Sequence, residues 1–66
     1  MKLIGQITKQ TKQKHPYILQ VWQNHHGAFE AHIFMAVDNR IFSTYDRRTK
    51  SEAIRDALKR AEEAGY

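Results

Sequence analysis

The sequence predicts an α+β fold, an antiparallel β-meander of three or four strands with one C-terminal α-helix packed on one face. Two observations carry this prediction. Short segments rich in β-branched and aromatic residues follow one another between turn residues through most of the chain. A segment with helical apolar periodicity and a capping sequence then ends it. A chain of 66 residues has room for one domain, 1–66, with the meander over about 2–45 and the helix over about 50–64.

The first two strands are predicted on either side of a polar loop. Residues 2–9 contain three large apolar side chains and a threonine, which favours a strand. The following segment is polar and ends at Pro16, so it predicts a loop and excludes a helix. Residues 17–23 are rich in β-branched and aromatic side chains, and they predict the second strand.

The third strand is predicted over residues 28–37, where apolar side chains recur with a period of two. The loop that precedes it ends in Gly27, and a three-residue hairpin loop favours glycine in its left-handed position. The pairs that this loop sets opposite each other keep one face apolar: Leu19 with Ile33 and Val21 with Ala31.

An Asp-Asn sequence at 38–39 predicts a second turn, because both residue types tolerate left-handed geometry. Residues 40–45 then predict a fourth strand. A choice of register by one residue decides whether Ile41 and Tyr45 or Phe42 faces the core. The sequence leaves both alternatives open.

The helix is predicted from its two ends and its apolar stripe. Thr49 precedes Glu52 by three residues, a capping box in which each side chain satisfies the backbone N–H of the other. Gly65 stands where a C-terminal cap is expected. The apolar residues that recur at helical spacing are Ala53, Ile54, Ala57, Leu58 and Ala61.

Apolar side chains on both faces of the predicted sheet exceed what one helix can cover. The set expected to face the helix is Tyr17, Leu19, Val21, Ile33 and Met35. The set expected to point away is Ile18, Trp22 and Phe34. The uncovered face is therefore a candidate interface for a second copy or another partner. In the alternative, sheet twist and the N-terminal strand cover it.

The charge of the chain favours an anionic partner. Eleven Lys and Arg against seven Asp and Glu give a net charge of +4. Residues 1–16 carry four lysines and no acid, and residues 40–50 carry four cations and one acid. Such clustering favours nucleic acid or another polyanion, although a basic surface also serves solubility alone.

The sequence predicts a phosphate-binding corner at the start of the helix. Arg47, Arg48 and Lys50 lie there, where the helix dipole favours acids, so these cations do not serve helix stability. Together with the free N–H groups of the first turn they could bind phosphate. In the alternative, this segment is a solvated loop in which Asp46 pairs with one arginine.

No metal, cofactor or catalytic site is predicted. The histidines do not suggest convergent ligands, since His25 and His26 are adjacent and diverge in a tight turn. Cysteine is absent, which excludes disulfides and thiolate zinc sites. Ser43 has no obvious base or orienting group, and no glycine-rich phosphate loop is present. We therefore expect a protein that is not an enzyme.

The sequence gives no indication of export or of a membrane anchor. No apolar run approaches the roughly 20 residues that span a bilayer. The N-terminus lacks the apolar core of a signal peptide. We expect a cytoplasmic protein. Because so short a chain gains limited stability from one core, self-association as a homodimer is one expected source of further stability.

The segment from Tyr17 to Ala61 resembles the arm-type, ethylene-response-factor-like DNA-binding domain of tyrosine-recombinase integrases. The similar features are a hairpin meander, the sequence Phe42-Ser43-Thr44-Tyr45, and Thr49-Lys50-Ser51-Glu52-Ala53 at the start of an amphipathic helix. The resemblance implies DNA binding with the sheet in the major groove. The chain departs from the family pattern because residues 17–39 contain no Lys or Arg, and only Trp22 matches the expected base-reading type.

Two functional hypotheses follow. In the first, the protein binds nucleic acid, DNA more than RNA. The residues expected to contact it are Lys9, Lys12, Lys14, Trp22, Arg40, Arg47, Arg48 and Lys50. In the second, it is a small regulator or inhibitor, of the type that phages and mobile elements encode, which binds a host protein. The interface residues expected then are Ile18, Trp22, His32 and Phe34.

Overall fold

Each strand of the chain pairs with its neighbour in sequence. A computed structural model describes all 66 residues as a four-stranded antiparallel sheet in the order β1-β2-β3-β4, with one helix packed on one face. The predicted fold class is confirmed. The elements are β1 (Lys2–Gln10), β2 (Pro16–Gln23), β3 (Phe29–Met35), β4 (Ile41–Arg47) and α1 (Lys50–Glu63).

The hairpin between β2 and β3 has the predicted loop and register. Gly27 adopts a φ of 79°, and its N–H donates to the Asn24 carbonyl over 3.1 Å. The Asn24 side chain accepts from the backbone N–H groups of His26 and Ala28, so it fixes the loop from within. Leu19 lies opposite Ile33 and Val21 opposite Ala31, as predicted.

The connection between β3 and β4 begins earlier than predicted. The Asn39 N–H donates to the Met35 carbonyl over 3.0 Å, and Asn39 has a φ of 61°. This turn ends β3 at Met35, so Val37, predicted in the strand, lies in the turn and is 65% exposed. β4 then pairs Phe42 with Ile33, which places Phe42 on the side of the core.

The register of β4 therefore sends Ile41 and Tyr45 to the face opposite the helix. Thr44 is fully buried on the helix side, and its hydroxyl donates to the Ala53 carbonyl over 2.8 Å. The core consists of one cluster of buried residues: Tyr17, Leu19, Val21, Ala31, Ile33, Met35, Ala53, Ala57, Ala61 and Tyr66. Three alanines at helical spacing let α1 approach β3 and β4 closely.

Both ends of α1 are capped. The Glu52 N–H donates to the Thr49 hydroxyl over 3.1 Å, whereas the reciprocal bond of the predicted capping box is not formed. At the other end Gly65 has a φ of 103°, and the Tyr66 N–H donates to the Ala61 carbonyl. This is a Schellman cap, and it turns the Tyr66 side chain back into the core.

β1 extends the sheet at one edge and covers neither of its faces. It pairs with β2 and contains a bulge between Leu3 and Gly5. α1 packs over β4 and β3, touches β2, and does not reach β1. The sheet face opposite α1, called the outer face below, is consequently left open. No helix of the structure has the length and apolar character needed to cross a membrane.

Candidate nucleic-acid interface

Three apolar side chains form a row across the outer face. Ile18 lies opposite Phe34, and Phe34 lies opposite Ile41 on the next strand. Ile18 is 40% exposed and Ile41 is 56% exposed, with Phe34 half-buried between them. The surplus of apolar groups expected from the sequence is thus real, and this apolar row faces solvent.

A polar row crosses the same face two residues further along each strand. Its members lie opposite one another on four successive strands: Gln6, Gln20, His32 and Ser43. The Gln20 side-chain amide donates to the Gln6 side-chain oxygen over 2.8 Å. These groups together give the outer face a line of hydrogen-bonding atoms that an apolar interface would not need.

His32 stands between a serine and a buried carboxylate. Its Nε2 lies 2.8 Å from Oε2 of Glu30, which is only 5% exposed, and its Nδ1 lies 2.7 Å from Oγ of Ser43. The two ring nitrogens of His32 are thus both engaged in hydrogen bonds, one with the carboxylate of Glu30 and one with the hydroxyl of Ser43. Ser43 and the buried Glu30 lie on either side of the His32 ring, an arrangement that sequence reasoning missed and that stands on an open face, not in a pocket.

Aromatic rings surround this polar row. The His32 ring lies edge-on to Tyr45, with ring centroids 5.5 Å apart, and 6.5 Å from the ring of Phe34. The Trp22 indole N–H donates to the Gln20 side-chain oxygen over 3.1 Å, which fixes the indole on the outer face. Tyr45 is 55% exposed, so it presents more free surface than the half-buried Trp22.

The three lysines of the first loop lie at one end of the domain, called the upper end. Lys9, Lys12 and Lys14 are exposed and have no carboxylate within 4.0 Å. Lys9 is opposite Tyr17 and projects on the helix side of the sheet. Lys12 and Lys14 lie in the connection between β1 and β2, where Lys14 has a φ of 66°.

Arg40 also lies at the upper end but packs against aromatic rings on the helix side. Its guanidinium carbon is 5.1 Å from the ring centroid of Phe42 and 5.7 Å from that of Tyr66. The nearby Asp38 accepts from the Tyr66 hydroxyl and from the Arg40 backbone N–H. The bond from Tyr66, more than any other cause, holds the pKa of the Asp38 carboxyl below its usual value.

The predicted corner at the start of the helix, at the lower end, is only partly available to a ligand. Arg47 donates from Nε to Oδ2 of Asp56 over 2.8 Å and from Nη1 to the Tyr45 carbonyl. This bond from Arg47 is the main reason that the pKa of Asp56 lies below its usual value. Arg48 and Lys50 are exposed and have no carboxylate partner.

The alternative prediction for this corner, in which Asp46 pairs with one arginine, is wrong. Asp46, which has a φ of 56°, accepts from the Asn24 side-chain amide over 2.9 Å and has no arginine partner. Asp56, in the middle of the helix, is the residue that pairs with Arg47. Asp46 thereby joins the hairpin loop to the end of β4.

The structure separates the predicted cations into two groups at opposite ends. The connections β1–β2 and β3–β4 lie at the upper end, and the β2–β3 loop and the start of α1 lie at the lower end. A strand of seven to nine residues spans about 25–30 Å, so the longest dimension of the domain, 34 Å, follows the strands. Along the strand direction, Lys12 and Lys14 therefore lie beyond one end of the sheet, and Arg48 and Lys50 lie beyond the other.

The four histidines lie at three separate places in the structure. His15 contacts the Tyr66 ring at the upper end, with centroids 5.5 Å apart, and His32 lies in the middle of the sheet. His25 and His26 are exposed in the β2–β3 loop. No three His, Cys, Asp or Glu side chains are grouped so that they could hold a metal ion.

Comparison with known proteins identifies no relative of this chain. No protein-family model matches the chain, and no curated protein and no solved structure shows significant similarity to it.

Proposed function

We propose that the protein is a nucleic-acid-binding module, with DNA as the favoured ligand, that binds along its outer face. The observation that carries this proposal is a difference between the acids and the cations in whether they have partners within the protein. The acids of the sheet and its connections are all engaged within the protein: Glu30 with His32, Asp38 with Tyr66, and Asp46 with Asn24. The cations Lys12, Lys14, Arg48 and Lys50 have no such partner.

The arrangement suits an elongated polyanion. Cations at both ends of the face would contact phosphates, which supply most of the affinity in nucleic-acid complexes. Between them, the rings of Trp22, Phe34 and Tyr45 offer stacking surfaces, and Gln20 and Ser43 offer hydrogen-bonding groups for base edges. Arg47 serves the fold in this proposal, and it is no longer among the expected ligands of phosphate.

The test is fluorescence anisotropy of labelled duplex DNA, single-stranded DNA and RNA at two salt concentrations. We expect the Lys12→Ala/Lys14→Ala and Arg48→Ala/Lys50→Ala variants each to bind about tenfold more weakly. Each should also lower the slope of log affinity against log salt by about two. The matched control is Arg55→Ala/Lys59→Ala, which removes two exposed cations from α1. Absence of binding to all three ligands at low salt would overturn the proposal.

The apolar row favours a second candidate function, a protein interface on the same face. Ile18 and Ile41 are exposed side by side with Phe34, and phosphates would gain nothing from them. Such an interface would serve a regulator of a host protein, or a homodimer. Sedimentation equilibrium of the wild type and of an Ile18→Ser/Ile41→Ser variant tests the homodimer, which requires a dimer that this variant dissociates.

A further inference from the structure

The two edges of the sheet differ in how far their backbone is protected. At the β4 edge, Nη1 of Arg60 donates to the Ser43 carbonyl over 3.0 Å, and Nη1 of Arg47 donates to the Tyr45 carbonyl over 2.8 Å. These arginines occupy two outward-facing acceptors of the edge strand. Charged side chains on an edge strand are a common protection against pairing with another chain.

At the β1 edge no side chain occupies the backbone acceptors in this way. β1 pairs with β2 on one side only, and no side chain donates to or accepts from its backbone. All its nine residues except Ile4 are exposed. Its central part, from Leu3 to Thr8, contains no charged residue. The bulge between Leu3 and Gly5 leaves a regular stretch from Gly5 to Gln10 for pairing.

A shallow apolar groove lies beside this edge, where α1 stops short of β1. Its volume is about 110 Å³, and its apolar lining comes from Ile7, Leu19, Val21 and Ile54. Ile7 is 48% exposed. The space beside Gly5 is also open, since a Cβ placed on this residue would meet no atom within 4 Å. A cavity of about 150 Å³ accommodates benzene, so this groove is on the order of one aliphatic side chain.

The positive charge around the β1 edge favours an acidic partner. The segment 1–16 carries Lys2, Lys9, Lys12 and Lys14 and no acid. None of these lysines has a carboxylate within 4.0 Å. A second copy of the chain would bring its own lysine-rich segment 1–16 to the same edge, and the two concentrations of positive charge would repel each other. An acidic chain would instead be attracted.

We propose that β1 binds an extended acidic peptide segment, which adds to the sheet as a fifth strand and places one aliphatic side chain in the groove beside Ile7. Backbone hydrogen bonds along the edge supply affinity, and the groove and the lysines supply specificity. The site uses the edge of β1 and the helix side of the sheet, so it does not depend on nucleic-acid binding at the outer face.

The probe for this proposal is a labelled nine-residue peptide in which Glu and Val alternate. We expect saturable binding by anisotropy, and amide shift changes in the NMR spectrum that are concentrated in Lys2–Gln10. A peptide with Lys in place of Glu, and one with Pro at its centre, should each bind at least tenfold more weakly. Ile7→Ser should weaken binding of the Glu-Val peptide about tenfold, whereas Val37→Ser, which also removes an exposed aliphatic side chain but in the β3–β4 turn, should leave it unchanged.

Several outcomes would overturn the proposal. Shift changes that follow β4 or the outer face would locate the peptide elsewhere. Equal binding of the acidic and basic peptides would remove the charge argument. A wild-type dimer that Ile7→Ser dissociates would show that a second copy occupies the edge. If the protein bound DNA but not the peptide, the β1 site would be refuted and the proposed function would stand. If it bound the peptide but no nucleic acid, the proposed function would be refuted and the β1 site would stand.

Discussion

Arg47 joins the end of β4 to the middle of α1, because its Nε donates to Oδ2 of Asp56 over 2.8 Å. Its other contact, from Nη1 to the Tyr45 carbonyl, lies on the free edge of the sheet. One side chain therefore connects the helix to the sheet and protects an edge acceptor. Arg48, the next residue, is exposed and makes neither contact.

Substitution of Arg47 and of Arg48 by alanine should accordingly affect different properties, the first stability and the second nucleic-acid binding. Arg47→Ala removes a hydrogen-bonded ion pair and the edge contact, so we expect a lower melting temperature. Arg48→Ala removes only a solvated charge, so we expect an unchanged melting temperature and weaker nucleic-acid binding. Thermal melting followed by circular dichroism, together with anisotropy, distinguishes the two. Equal melting temperatures for both variants would contradict the structural role of Arg47.

The parts of the fold that sequence reasoning predicted are those fixed by short-range signals. Gly27 determines the hairpin loop and through it the pairing of β2 with β3. Thr49 and Gly65 mark the two ends of the helix. Each of these residues acts on backbone groups within a few positions of itself, and such effects are visible in sequence.

The parts that sequence reasoning left open depend on the register of β4. That register follows from the turn that ends β3 at Met35 and from a shift between Phe29 and Ala31. Until Phe42 is assigned to the core, Ser43 cannot be placed opposite His32. The partner of Arg47 was missed for a similar reason, since Asp56 is nine residues away and is brought near only by helix packing.

Overpacking of the alanine stripe should destabilise the domain. Ala57 is fully buried between α1 and the sheet, so Ala57→Leu forces the helix away from the strands. Insertions of this kind typically cost about 1–3 kcal/mol. Urea unfolding followed by circular dichroism measures the loss. Ala64→Leu at the exposed end of the helix is the matched control, and an equal loss in both variants would contradict the close helix–sheet contact.

Alkaline pH should lower the stability. The hydrogen bond to Asp38 is the main cause that raises the pKa of the Tyr66 hydroxyl, and burial, more than the charge of Glu62, raises that of Tyr17. The folded state thus holds these protons more tightly than the unfolded state, in which the tyrosines have a pKa of about 10. This stability is complete below about pH 10 and is lost as pH rises through the raised folded-state pKa values.

Tyr66→Phe provides the check on that profile. The variant lacks the hydroxyl that donates to Asp38, so we expect lower stability at neutral pH and a shallower loss between about pH 9 and 12. Urea midpoints measured across this range give both quantities. An alkaline loss in Tyr66→Phe as steep as that of the wild type would contradict the contribution of Tyr66.

Glu30 and His32 should be strongly coupled in stability. The Glu30 carboxylate is buried, and His32 is its hydrogen-bond partner, so His32→Phe leaves a buried acceptor unpaired. Such a loss costs about 1–3 kcal/mol, and more where the group is charged. Adding Glu30→Leu to His32→Phe removes the unpaired group, so we expect the double variant to regain part of that loss. Urea unfolding of the four proteins completes a double-mutant cycle. Additive losses would contradict the dependence of the buried carboxylate on the imidazole of His32.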